Sequence, residues 1–229
     1  MAEVAEVAEV AELLELEERW PLAGAVPVAV SVSVSGAVRL RDQLLAAYAE
    51  PGRHYHDVRH LAEVLDRLDE LEAHAVPFEP LPVRLAAWFH DAVYDGQQGA
   101  EERSARWAEE ALSAAALPDD VVSEVARLVR LTEQHDPRED DRGGAALCDA
   151  DLAVLAASPA RYREYVDAVR QEYASIPEPA FRTGRATVLR ALLARPLLFT
   201  TAYAVATWEA PARLNVTAEL AFLDGPPER

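Results

Sequence analysis

The sequence predicts an all-helical protein, and three observations predict it. Beyond Gly36, apolar residues recur at helical spacing in one segment after another, and Pro, Gly and Asp punctuate the joints. Only one stretch, "VPVAVSVSVSG", alternates with a period of two, through Val28, Val30, Val32 and Val34. With 229 residues, 51% of them apolar, the chain can enclose one sizeable core and does not require two domains.

The elements follow in order. Residues 2–12 repeat Ala-Glu-Val, a period of three that winds the glutamates around a helix instead of holding them on one face, so a frayed or disordered lead-in is expected. A first helix is expected from Ala11 to Trp20, where Pro21 stops it. The valine-serine stretch reads as an edge strand or as coil crossing a helical body, because a lone strand has no partner for its backbone groups. Residues 1–36 therefore form a lead-in and 37–225 a single helical domain. Within that domain, helices are expected over Val38–Ala49, His54–Ala75, Pro82–Tyr94, Ala100–Ala116, Asp120–Gln134, Ala145–Ala157, Ala160–Ala174, Thr183–Ala194, Leu197–Glu209 and Ala212–Leu223. Pro82 suits a first helical turn and Asp119 a cap.

Composition narrows the function. Lys plus Arg number 22 against 40 Asp plus Glu, and a net charge of -18 repels nucleic-acid polymers and anionic membranes. A small phosphate ester is still admitted, because a metal ion inverts the local field. The single cysteine, Cys148, rules out an internal disulfide. The amino terminus has no basic n-region, and no apolar run approaches the roughly 18 residues that span a bilayer. A soluble cytoplasmic protein is expected, and its oligomeric state is left open.

Four segments carry chemistry. In "RHYHDVRHL", Leu61, Val64, Leu65 and Leu68 mark an inner helix stripe that His60 extends, with His56 one turn earlier on the same side. Two such histidines are either core residues bonded to backbone or carboxylates, or ligands. In "LAAWFHDAVYDG", His90 shares the apolar face and Asp91 follows it. In "GAALCDADLAVL", the stripe Leu147, Ala150, Val154, Leu155 contains Asp151, whereas Asp149 lies about 200° from it around the helix. A carboxylate in an apolar stripe must be paired or metal-bound, so Asp151 is the better ligand and Asp149 the better supporting or capping residue. In "LTEQHDP", His135 ends an amphipathic helix, where the dipole alone accounts for a histidine. His60, His90, Asp91 and Asp151 together form a nitrogen and carboxylate set without thiolate. It suits Mn, Fe, Co, Ni, Zn or Mg and does not choose among them.

These residues resemble the HD superfamily of metal-dependent phosphohydrolases, whose ordered signature is a histidine, a His-Asp pair and a later aspartate. The chain is most similar to a bacterial group within it through "RHYHDVRH", "FHDAVY", "AEERSA", "DADLAVL", "RQEY" and "ARLNVTAE", spread from Tyr48 to Leu223. The resemblance implies an HD-like helical bundle with metal ligands His60, His90, Asp91 and Asp151. It also implies His56 as the acid that protonates the leaving group, by likeness to the "YHN" segment of cyclic-nucleotide phosphodiesterases. Asp57 stands where relatives often carry Asn, and the valine-serine stretch has no counterpart.

The expected activity is metal-dependent hydrolysis of a phosphate ester or nucleotide-like small molecule, with Asp91 also orienting or deprotonating water. Asp57 and Asp149 would support the ligands. Glu101, Glu102 and His135 are candidates for a second metal, and Arg103, Arg182, Arg185 and Arg213 for phosphate. The stripe Tyr162, Tyr165, Val166, Val169, Tyr173 reads as helix packing. The rivals are a noncatalytic nucleotide-binding or regulatory module and a di-iron oxygenase.

Overall fold

The computed structural model describes residues 13–22 and 34–225. Residues 13–18 form the described part of α1. There follow α2 (Val34–Tyr48), α3 (Val58–Ala73), α4 (Pro80–Phe89), α5 (Ala100–Ala114), α6 (Asp119–Leu131), α7 (Arg142–Leu152), a 3₁₀ turn (Ala153–Ala156), α8 (Pro159–Glu172), α9 (Glu178–Ala194), α10 (Ala202–Thr207) and α11 (Glu209–Asp224). The protein is an all-α bundle, and no described helix is long and apolar enough to cross a membrane.

At its centre is α4, which packs against α3, α5, α6 and α7. Its sequence explains the position: Val83 and the run Leu85–Phe89 are all buried, and Arg84 is the one charged side chain between them, paired with Asp69 and Glu72. Pro80 at its first position supplies a preset φ where no amide hydrogen is needed. Around it, α3 turns Leu61, Val64, Leu65, Leu68 and Leu71 inward. α7 lies on both α3 and α4, and α11 closes the far side over α9 and the 3₁₀ turn. α1 is fastened to α3 by Arg19, which bridges Asp66 (2.7 Å) and Asp69 (2.5 Å), while Trp20 packs edge-on against Trp88 at 4.9 Å.

Several boundaries differ from the sequence reading. Residues 23–33, most of the valine-serine stretch, lie outside the described residues, as do 1–12. α2 nevertheless begins at Val34 and runs through Gly36. The stripe Ala37, Leu40, Leu44 and Leu45 buries enough surface to carry a helical glycine that costs about 1 kcal/mol. α3 begins at Val58, so His54 to Asp57 are not helical; Asp57 is its N-cap, accepting the His60 amide at 3.1 Å. Asp119 is the first residue of α6 and the N-cap is Pro118. Pro82 sits two residues inside the start of α4.

Candidate metal centre

The C-terminal end of α4 carries the site. His90 is the C-cap of α4 and is 1% exposed; Asp91 follows in the turn. The last carbonyls of a helix favour positive charge, which suits a cation at this end. His60 reaches the same point from the first turn of α3, and Asp151 from α7. The ligand atoms converge closely. His60 Nε2 is 3.0 Å from His90 Nε2 and 3.3 Å from both Asp91 Oδ2 and Asp151 Oδ1. His90 Nε2 is 3.1 Å from Asp91 Oδ2 and 3.7 Å from Asp151 Oδ1. Among the described residues, His60, His90 and Asp91 form a group of donors able to hold a metal ion.

The donors fit a cation on two counts. Metal–nitrogen bonds of about 2.1 Å place neighbouring ligand atoms about 3.0–3.4 Å apart, the spacing of the His60, His90 and Asp91 donors, with Asp151 slightly further from His90. His90 Nδ1 also donates to the Ala87 carbonyl at 2.7 Å, which leaves Nε2 as the ring nitrogen turned toward the cluster, able to ligate once a metal displaces its proton. Tyr48 lies beneath, its hydroxyl 3.4 Å from His90 Nδ1 and accepting the Asp91 amide at 3.3 Å; burial pushes that phenol up to about 12.

Electrostatics agree with the geometry. Burial disfavours the charge on His60, but hydrogen bonds to Asp151 and Asp91 win and hold its pKa at about 9. Burial likewise opposes ionisation of Asp91 and Asp151. The charge of His90, acting together with His56 and His60 on Asp91 and with His135 and His60 on Asp151, outweighs it and keeps both carboxyls well below their usual range. Two ionised carboxylates in a buried pocket demand positive charge, which protons or a metal ion supply.

Asp149, 1% exposed, faces away from this point and accepts the amides of Thr200 (2.8 Å) and Thr201 (2.7 Å) ahead of α10. Burial raises its carboxyl to about 6. His135 does reach the cluster: its Nε2 is 2.7 Å from Asp151 Oδ2. It gets there with φ of 48°, a left-handed conformation that a non-glycine residue adopts at some cost. Glu102 is turned elsewhere, pairing with Arg130 (2.6 Å) and Arg106 (2.8 Å), and Glu101 is not part of the donor group.

The four arginines considered for phosphate are engaged in holding the bundle. Arg103 pairs with Asp95, Arg182 binds the carbonyls of Phe222 and Leu223 at the end of α11, Arg185 grips Glu219, and Arg213 ties Glu209 to three carbonyls at and just beyond the end of α9.

His56 stands beside the cluster, its ring centroid 5.6 Å from that of His60, and stacks on Tyr94 at 4.1 Å. Two residues with no assigned role in the sequence reading hold it. Glu172 Oε1 accepts the consecutive amides of His54, Tyr55 and His56 at 2.8–2.9 Å, and Oε2 takes His56 Nδ1 at 2.7 Å. Burial pushes the Glu172 carboxyl up, but these bonds, led by the His56 ring, bring it down to about 2. Arg53, nearly enclosed, donates to the carbonyls of His56 (3.0 Å), Asp91 (2.6 Å) and Ala92 (2.9 Å), clamping the His56 segment onto the His-Asp turn. Only "RQEY", quoted above for its likeness to a family, signalled Glu172.

The fold and site thus define an all-helical protein with a buried His/His/Asp cluster suited to a divalent metal. No family model, curated protein or solved structure matches the chain.

Proposed function

We propose that the protein is an HD-like phosphohydrolase that cleaves a phosphate ester at a single divalent metal held by His60, His90, Asp91 and Asp151. The observation that carries this reading is the pairing of that buried donor cluster with a second, independently braced His56–Glu172 dyad 5.6 Å away, ring to ring. A site that only stored metal would have no use for the dyad. A metal ion held by these residues would supply a water of lowered pKa and would neutralise charge on the phosphoryl oxygens.

The chain's own residues do the rest. Asp91, with one oxygen in the cluster, orients the attacking water through hydrogen bonding. Glu172 accepts from Nδ1 of His56, which fixes the ring so that Nε2 carries the proton given to the departing alkoxide. Water adds to phosphorus and passes a proton to Asp91, the ester oxygen leaves with the His56 proton, Glu172 stabilises the imidazolium before transfer, and exchange with solvent restores both groups. His135 secures Asp151 from the opposite oxygen, so one metal per chain is expected.

A metal-by-substrate screen of phosphomonoesters, cyclic and linear phosphodiesters and nucleotides tests the reading. Chelator-sensitive release of phosphate or of a phosphate monoester is expected. His56→Ala should retain metal and lose the most rate with poor leaving groups, on the order of 10²-fold or more. Absence of turnover by fully metallated protein across the screen would overturn hydrolysis. Equal rates for His56→Ala and wild type would remove the acid.

A further inference from the structure

A cavity of about 460 Å³ opens on the far side of His56, between α8 and α9. Tyr55 is the partition: its ring centroid lies 4.8 Å from those of both His56 and His60, and it meets Tyr165 edge-on at 4.6 Å. Beyond it, Tyr165 and Val169 of α8, then Tyr173, Ile176 and Phe181, give the cavity an aromatic and aliphatic wall. Tyr173, Ile176 and Val188 remain 40–52% exposed around it, although nothing in the fold of a lone bundle requires apolar residues there.

Charge says what the cavity accepts. Its arginine, Arg185, is neutralised by Glu219, which it contacts at 2.7 and 3.0 Å, with a further bond to Tyr165 at 3.0 Å, and His56 at its edge is paired with Glu172. The neighbouring Arg170 is paired with Glu178 and lies over the Phe181 ring. A diphosphate or carboxylate tail would find no unpaired cation among these residues. An uncharged ring would find faces on which to pack.

We infer that this cavity binds the leaving group of the substrate, and that the substrate is a phosphate ester of an uncharged, ring-bearing alcohol. The inference rests on the proposed hydrolysis for its orientation: the departing oxygen must meet His56, so the carbon skeleton attached to it continues past that ring into the cavity.

Gly184 of α9 provides the test, because a side chain there would project into the cavity and its Cβ would meet nothing within 4 Å. Equilibrium binding to the metal-loaded protein is measured by calorimetry with 1-naphthylphosphonate and methylphosphonate. Wild type should prefer the naphthyl compound by about tenfold or more, the worth of burying part of one ring system. Gly184→Phe should erase most of that preference while metal content and melting temperature hold. Val188→Asp, at the exposed rim, is the second variant should the first fold poorly, and it should weaken the preference in the same direction. Equal affinity of wild type for the two phosphonates, or a preference untouched by both variants, overturns the inference. The two readings fail separately. Naphthyl preference abolished by Gly184→Phe without turnover of naphthyl phosphate would remove hydrolysis and keep the cavity's ligand. Turnover of methyl and naphthyl phosphates with equal kcat/KM would keep hydrolysis and remove the cavity's role.

Discussion

At the scale of single residues, Asp149 and Asp151 show how two positions along one helix divide two tasks. Asp151 points both oxygens at imidazoles, and Asp149 receives two backbone amides that begin another element. Asp151→Asn should therefore cost most of the bound metal by elemental analysis, whereas Asp149→Ala should keep more metal and lose about 2–4 kcal/mol in urea unfolding, because two amides, that of Thr201 buried, lose a charged acceptor. Glu172 makes a pH prediction. Its carboxyl takes up a proton near 4.5 when unfolded and near 2 in the fold, so between those values the unfolded chain binds more protons and acid favours unfolding. The stabilisation, about 3 kcal/mol from the size of that shift, is complete above pH 4.5 and lost as pH falls toward 2. The stability gap between wild type and Glu172→Gln should accordingly shrink below pH 4.5, and a gap independent of pH would contradict it. The choice between the two aspartates could be read from helical period, since both lie on one continuous element. Glu172 could not, because the amides it holds are 116–118 residues away and a sequence shows no such pairing.

At the scale of elements, α7 is set by its first turn. Asp141 caps it by accepting the Gly144 amide at 2.8 Å and is itself held by two bonds from Arg127. A Cβ on Gly144 would stand 2.5 Å from Asp141 Oδ2 and from Leu131 Cδ2, so the cap or the packing must give way. Gly144→Ala should cost about 1–3 kcal/mol in urea unfolding, although alanine is the better helix former. The same element explains what the sequence does and does not disclose. Apolar periodicity reveals that helices exist, since it reflects burial, and all ten expected after Gly36 have observed counterparts. Starts are decided by who satisfies the first amides. α9 begins at Glu178, five residues before its expected start, with Pro179 in its first turn. α3 starts at Val58, later than expected, because Asp57 caps it in an extended conformation, and Glu172 holds the amides of residues 54–56 ahead of that cap.

At the scale of the whole molecule, the candidate donors come from α3, the end of α4 and α7, so a metal held by them would bind the fold and not the unfolded chain. Chelation should lower the melting temperature, reflecting roughly 3 kcal/mol lost at a metal concentration a hundredfold above Kd. No shift on chelation, with metal shown to be removed, would place the ion outside the bundle. The pairing of Arg103, Arg182, Arg185 and Arg213 with carboxylates and carbonyls has a kinetic consequence. Their charge is already spent inside a molecule of net charge -18, and the cluster itself presents two carboxylates. In the proposed reaction, a phosphoryl group arriving ahead of the cation meets two carboxylates that protonated His60 and His90 only offset, and so finds no net attraction. Addition should therefore be compulsorily ordered, cation first. Methylphosphonate should show no measurable affinity for the apoprotein, and the metal's off-rate should fall once the anion has bound behind it.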